Sequence, residues 1–384
     1  ACTEVYVDRI LRGTDHGGYY SRNMLGVIGT DLGAVACFFD PPWRRLSPTL
    51  RSAYQSWLLN EAAFSLHALG RLREAIEPLR EGLAMVVAAE DWNNAAAGAG
   101  NLSGYFLMLG DVTDALASAE RAVLYADRGG DGFQRMVART PLADAQHHAG
   151  RRDDATAEFQ RAEAMQAERN PSYPLLYSLR GYRYCELLLA APECEAWRRV
   201  MGIAPNVDSA TVAAYREVDE RAQQTLRWVE HIGSLLDIAL DHLSLGRAAV
   251  YRAALDNSAP NLTSARAHLD AAVDGLRRSG RLGLLPCGLL SRALLRTLDG
   301  HLTGPDSAQE DLDEAWDIAE PGPMRLHMAD VHLHRARLFA SATPYPWDSP
   351  AADLQAARAL IEQCGYNRRL EELADAESHL LRRP

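Results

Sequence analysis

Three glycines, Gly70, Gly110 and Gly150, fall at equal steps of about 40 residues, each near the end of a helical pattern. Small residues recur in register around them. Ala63, Ser103 and Ala143 precede the glycines; Ala75, Ala115 and Ala155 follow them, and Gly82, Ala122 and Ala162 come after those. Self-similarity at such a period signals stacked helical hairpins, each too thin to bury its apolar face alone. The constraint is architectural and does not name a ligand.

The segment SWLLNEAAFSLHALGRLREAIEPLREGLAM shows one unit whole. Leu58, Leu59, Ala62, Ala63, Leu66 and Leu69 follow the three-and-four spacing of an apolar helix stripe. Gly70 offers the left-handed residue that ends a helix. Leu72, Ala75, Ile76, Leu79 and Leu83 supply the second stripe. Small side chains at the recurring positions allow two helix backbones to approach closely.

This pattern resembles tetratricopeptide repeats. NLSGYFLMLGDVTDALASAERAVLYA carries small Ser103, aromatic Phe106, Gly110, Ala115 and Ala122 in that family's order. The period exceeds the usual 34 residues and is similar to the long-helix variant of kinesin light chains and bacterial signalling ATPases. Pro78 stands where a helix interior would normally break, but the long repeats carry a similar Pro-Leu, so a continuous, slightly kinked helix is expected. The fold expected is all-α, a tetratricopeptide-like right-handed superhelical solenoid of seven to eight helical hairpins.

In a repeat architecture, 384 residues extend one core and need not divide into several domains. The formal net charge of -11 argues against nucleic acid or an anionic membrane surface as partner. No run approaches the length of a membrane span. There is no signal-peptide pattern and no initial Met, so a piece of a longer protein is expected. The six cysteines, Cys2, Cys37, Cys185, Cys194, Cys287 and Cys364, form no close pair and read as reduced, cytoplasmic thiols. All 40 basic residues are arginine, as a GC-rich genome would produce. A phosphate-loop lysine and a Schiff-base lysine are thereby excluded.

Along the chain, residues 1–47 read as an N-terminal lead-in and capping helix covering the first repeat's edge, with DPPWRRLSP as the break after it. Regular repeats occupy 48–190. Asp91 and Asp131 are N-cap candidates, Pro141 predicts a kink, and Asn170-Pro171 predicts the start of the next helix. YPLLYSLRGYRYCELLL (173–189) reads as the first helix of a fourth unit. The register then fails, and 191–212, with two prolines, reads as an irregular insertion that leaves the stack. Residues 213–384 read as divergent helical repeats, with pairs at 234–279, 286–320 and 323–364, turn insertions DNSAPNLTS, GHLTGPDS and ATPYPWDSP, and a charged C-terminal capping helix.

Taken together, EDWNNAAAGAGNLS, GDGFQRMVARTPLADAQHHAGRRDDA, YPLLYSLRGYRYCELLL, LLDIALDHLSLGRA and MRLHMADVHLHRARL resemble the C-terminal repeat region of bacterial STAND-type signal-transduction ATPases, over about residues 20–370. That resemblance implies a sensor that binds a protein or small inducer and releases a nucleotide-binding module to oligomerise. The nucleotide-binding module itself has no counterpart in this chain.

Catalytic motifs are scarce. GAGNLSG (98–104) lies inside a helical repeat and follows no strand, so close helix packing explains it better than a phosphate loop. GxxxxGK[ST], GxSxG and HExxH do not occur. His327, Asp330 and His334 share one helix face and could ligate a metal with help from a second helix; buried, hydrogen-bonded histidines are the preferred reading. His147 and His148 are adjacent and so diverge around a helix.

Binding is the more productive expectation. In the resembled fold the first helices line the concave groove. The candidate contacts are Trp57, Asn60, Phe64 and His67 in the first unit, Asn101 and Met108 in the second, Asp144 and His147 in the third, and Tyr182 in the fourth. Asparagine can both donate to and accept from a peptide backbone. The expected function is non-enzymatic recognition of a protein or peptide in the groove, without a cofactor. The alternative is a small-molecule inducer sensor with its pocket near the mid-chain insertion, distinguished by a closed cavity in place of an open groove.

Overall fold

The structure is a computed structural model that describes residues 2–12, 19–256 and 261–382. It is all-α, and among the described residues no strand forms; one antiparallel bridge pairs Phe39 with Leu46. A π-helical segment, Cys2–Leu11, precedes α1 (Tyr20–Asn23) and α2 (Ile28–Ala36). Three hairpins follow: α3 (Ser52–Ala68) with α4 (Leu72–Ala88), α5 (Trp92–Leu109) with α6 (Val112–Gly129), and α7 (Gly132–His148) with α8 (Arg152–Arg169).

The recurring small residues act as expected. Ala63, Ser103, Ala143, Ala75, Ala115, Ala155, Ala122 and Ala162 are all fully buried, and a Cβ on Gly82 would meet the Ser56 carbonyl oxygen at 3.2 Å. Each glycine turn takes one form. Gly70, Gly110 and Gly150 have φ of 75°, 81° and 78°. The next residue's N–H (Arg71, Asp111, Arg151) returns to Leu66, Phe106 or Gln146 O at 2.9, 2.7 and 2.8 Å, closing the helix end as a Schellman turn. Asp91 and Asp131 accept from the Asn94 and Gln134 N–H, so both are N-caps. α4 and α7 run through Pro78 and Pro141.

The middle of the chain departs from the sequence expectation. Asn170-Pro171 sits in a turn, with Tyr173 N–H donating to Asn170 O at 2.9 Å, and the helix starts eight residues after Asn170, as α9 (Ser178–Leu188). The stretch expected to be an irregular break is helical over α10 (Ala190–Val200). Pro192 is its third residue, where a missing N–H costs no intrahelical bond. Then come α11 (Ser209–Ile232), α12 (Leu235–Leu255), α13 (Thr263–Arg278), α14 (Leu285–Leu298), α15 (Ala308–Ala319), α16 (Arg325–Leu338) and α17 (Pro350–Cys364). A 3-10 turn (Asn367–Arg369) leads into α18 (Leu370–Leu381). The DNSAPNLTS insertion lies partly outside the described residues.

Neighbouring helices make the most extensive contacts, but α5 also packs on α16, and α7 on the 367–369 turn. The C-terminal half meets the N-terminal repeats at their glycine turns. Leu282 N–H donates to Ala68 O at 3.0 Å. Arg325 donates to Leu109 O and to the Asp111 carboxylate, placing a cation on the orphan carbonyls at the end of α5. Gly322 and Met324 lie against Gly70, Cys364 and Arg325 against Gly110, and Asn367 against Gly150. At the other edge, Tyr6, Val35 and Phe39 cover Leu58, Leu59 and Ala62 of α3. Among the described residues no helix is long and apolar enough to cross a membrane.

Candidate functional site

Because the two halves meet along the turns, their inner helices face one another across a cavity of about 350 Å³. Its wall comes from α3, α5, α7, α9, α12, α14 and α16, with α10 and the links at 281–284 and 366–369. None of the alternate helices α4, α6, α8, α11, α13, α15 and α17 reaches it. The inner stripe of α7 illustrates the periodicity: Val137, Thr140, Pro141, Asp144 and His148 recur at three and four.

One end of the cavity is a buried ion network. Arg247 of α12 donates to Glu186 at 2.8 Å and to Glu193 at 3.2 Å. Arg369 pairs with Glu193 at 3.1 Å and with Asp330 at 2.8 Å. Burial would raise the Glu193 carboxyl, but Arg369 and Arg247 override it and hold it well below the usual range. Tyr366 donates to Asp330 at 3.1 Å. The set is mutually paired, as charges deprived of water must be.

The other end is less balanced. His67 stacks on Tyr105 with ring centroids 4.0 Å apart. Burial, with Arg281 and Arg183 nearby, pushes His67 down to about 3, so its imidazole is neutral. Phe64 lies under the guanidinium of Arg281 at 4.2 Å and that of Arg22 at 3.8 Å. Arg22 is itself paired with Glu61, and Arg183 with Asp144 at 3.0 Å.

Of the residues selected from sequence, Phe64, His67, Asn101, Met108, Asp144 and Tyr182 line the cavity. Trp57, Asn60 and His147 do not. Trp57 packs on Tyr6 at 5.8 Å under the N-terminal segment. Asn60 accepts from Asn101 Nδ2 at 3.4 Å from outside the wall. His147 is buried one residue off the α7 stripe, 3.4 Å from Arg368; its neighbour His148 takes the inner position. The face of His327, Asp330 and His334 is tied up in hydrogen bonds: His327 to Gly283 O at 3.0 Å, Asp330 to Arg369, and His334 Nδ1 to its own helix's Asp330 O at 2.7 Å.

Sequence reasoning passed over Arg180, Arg183, Arg247, Arg281, Glu193 and Trp197 on the wall. Placing Arg183 four residues after Leu179 and three before Glu186 on the α9 stripe would have flagged a charged residue on an inner face. Arg281 gives no such signal, because it lies in a link. A scan against family models matches no family, and a search of curated proteins finds no significant relative.

Proposed function

We propose that this chain is a non-catalytic recognition module that encloses a small molecule in the cavity between its inner helices. One observation carries the reading: helices of both halves wall a single cavity of about 350 Å³, in the size range of small-molecule sites, whose surface is apolar in its majority with charged groups gathered at its ends. Cys287, a thiol on the wall, is pushed up to about 12 by burial and Glu186, which disfavours a nucleophilic thiolate. The architecture that accompanies this reading is a tetratricopeptide-like right-handed superhelical solenoid whose ends meet at the turns of Gly70, Gly110 and Gly150.

The setting proposed is that of the resemblance, the sensor region of a cytoplasmic bacterial STAND-type ATPase acting beside a nucleotide-binding module. A ligand touching both halves favours their closed arrangement over an open one, and that differential affinity is the signal. A peptide in the same space is the second reading, favoured by the Asn101–Asn60 amide contact at 3.4 Å, the start of an amide ladder.

The test is titration of the full chain with the neutral fluorophore N-phenyl-1-naphthylamine, beside Gly104→Leu. Gly104 lines the cavity inside α5, and a Cβ there meets Arg183 Nη2 at 3.6 Å and no other atom within 4 Å. Leucine therefore fills the cavity without backbone strain. Saturable one-to-one binding that weakens at least tenfold in Gly104→Leu supports the cavity. Absent binding, or equal binding by both proteins, refutes it.

A further inference from the structure

Six arginines line the cavity, and they differ in what they pair with. Arg183, Arg247, Arg368 and Arg369 each lie within 4 Å of a carboxylate: Asp144 at 3.0 Å, Glu186 at 2.8 Å, Glu186 at 3.8 Å and Asp330 at 2.8 Å. Arg180 and Arg281 have no carboxylate within ion-pair distance among the described residues. Arg281 lies over the Phe64 ring at 4.2 Å, and Arg180 stands 6.0 Å from the rings of Phe133 and Tyr177. Both feel the field of one acid, Asp237 of α12, which already accepts a hydrogen bond from Ser178. Among the described residues neither guanidinium has a carboxylate of its own, unlike Arg22 with Glu61 and Arg183 with Asp144 beside them.

Polar atoms beside them also lack protein partners. The Tyr105 hydroxyl and His67 Nε2 are shielded from solvent and have no hydrogen-bond partner among the described residues. Both belong to cavity-lining residues, and both rings lie close enough to Arg281 to feel its charge. Both side chains are half-buried; a guanidinium that loses part of its water without a counter-charge is costly, and this desolvation lowers Arg281 to about 10 and Arg180 from its ordinary value. Both remain cations at neutral pH. Natural cores retain such groups where a ligand supplies the missing charge, and arginine's planar fork is suited to carboxylate-like oxygens.

We propose that the cavity binds an anionic small molecule with an aromatic or aliphatic body, its acidic group held by Arg281 beside His67 and the Tyr105 hydroxyl, with Arg180 adding a second unpaired cation to the same wall. The body lies on the apolar wall that includes Met108, Leu290 and Leu294. This inference rests on the cavity reading and adds the charge of the ligand.

The experiment compares two probes with one ring system: 8-anilinonaphthalene-1-sulfonate, which carries a sulfonate, and neutral N-phenyl-1-naphthylamine. Each is titrated into the full chain, Arg281→Met and Arg180→Met, with circular-dichroism melts as the fold control. The expected result is that Arg281→Met weakens the sulfonate probe at least tenfold and Arg180→Met weakens it less, that both change the neutral probe less than threefold, and that melting temperature does not fall. If both probes bind all three proteins alike, the anion inference fails while the cavity reading stands. If neither probe binds the wild-type chain, the cavity reading fails and the inference with it. If both substitutions abolish the folded melt, the two arginines hold the fold and the inference is overturned.

Discussion

Four glycine-to-alanine substitutions separate what a left-handed turn costs from what closure of the molecule adds. Gly130 ends α6 with φ of 73° and has no atom within 4 Å of an added Cβ. Gly130→Ala therefore carries the backbone term alone, about 1–2 kcal/mol. Gly110 has the same conformation, φ 81°, but its added Cβ would stand 2.7 Å from Cys364 Sγ and 2.8 Å from Arg325 Cβ. Contacts that short are well inside the carbon–carbon optimum of about 3.5–4.0 Å, so the C-terminal half must back away from the turn. Overpacking of this kind adds about 1–3 kcal/mol, and moving Arg325 also loosens its bonds to Leu109 O and Asp111. The total for Gly110→Ala is about 2–5 kcal/mol. Gly150→Ala, 3.0 Å from Asn367 Cβ, falls between the two. Gly70→Ala meets only the flexible end of Met324 at 3.3 Å and stays near Gly130→Ala. Equilibrium urea unfolding followed by far-ultraviolet circular dichroism gives the midpoints. Destabilisation of Gly110→Ala and Gly130→Ala by amounts equal within about 0.5 kcal/mol, the usual spread for sites that do not couple, would refute the docking of the C-terminal half on these turns.

Three further outcomes follow from the buried charges. Glu193→Gln leaves Arg247 and Arg369 without a shared carboxylate and should destabilise by about 3–5 kcal/mol; adding Arg369→Met should recover part of that loss in the same urea assay, and strict additivity would contradict the network. Asp241 is pushed up to about 8 by burial, with Asp237 adding to it against a Thr225 hydrogen bond, whereas an unfolded aspartate titrates near about 3.9. Between pH 4 and 8 the fold thus keeps a proton that the unfolded chain has released, so stability falls as pH rises through this window. Asp241→Asn should flatten that slope in melts recorded against pH, and an unchanged slope would count against the shift. His67 and His334, held by burial at about 3 and about 4, act in the opposite sense. The unfolded chain takes up protons below about 6.5 that the fold refuses, so in Asp241→Asn, where the aspartate's opposing contribution is absent, melting temperature should drop as pH falls from 6.5 towards 4, and a flat acid limb in that variant would rule this out.

Much of the local architecture could be read from the residues. The 40-residue register located three Schellman turns and the small residues beneath them, and Asp91 and Asp131 cap the helices they precede. Errors arose where one residue type has two legitimate uses. Pro192 has the chemistry of a breaker, yet the first turn of α10 has no N–H bond for it to lose. Asn170-Pro171 has the chemistry of a helix start but forms the turn before one, and the backbone reverses again at Ser178, with φ of 59°. His147 and His148 are one residue apart, about 100° around a helix of 3.6 residues per turn, and that step puts His148 and not His147 on the inner face.

What no periodicity could supply was closure. The residues that meet Gly110 are Arg325 and Cys364, more than 200 positions away, and helical repeats encode contacts only with near neighbours in sequence. Closure in turn decides the chemistry of the inner faces. On an open groove, Arg180 and Arg281 would be solvated cations of little consequence, because water screens an exposed charge. Half-buried between the two halves they lose part of that screening, and pairing then separates two kinds of arginine. Those between Glu186, Glu193 and Asp330 have their counter-charges built into the fold. Arg281 has an aromatic face in Phe64 and, among the described residues, no carboxylate within ion-pair distance. The protein pays for that burial without recovering it internally, and an anion arriving in the cavity is the partner whose binding would recover it.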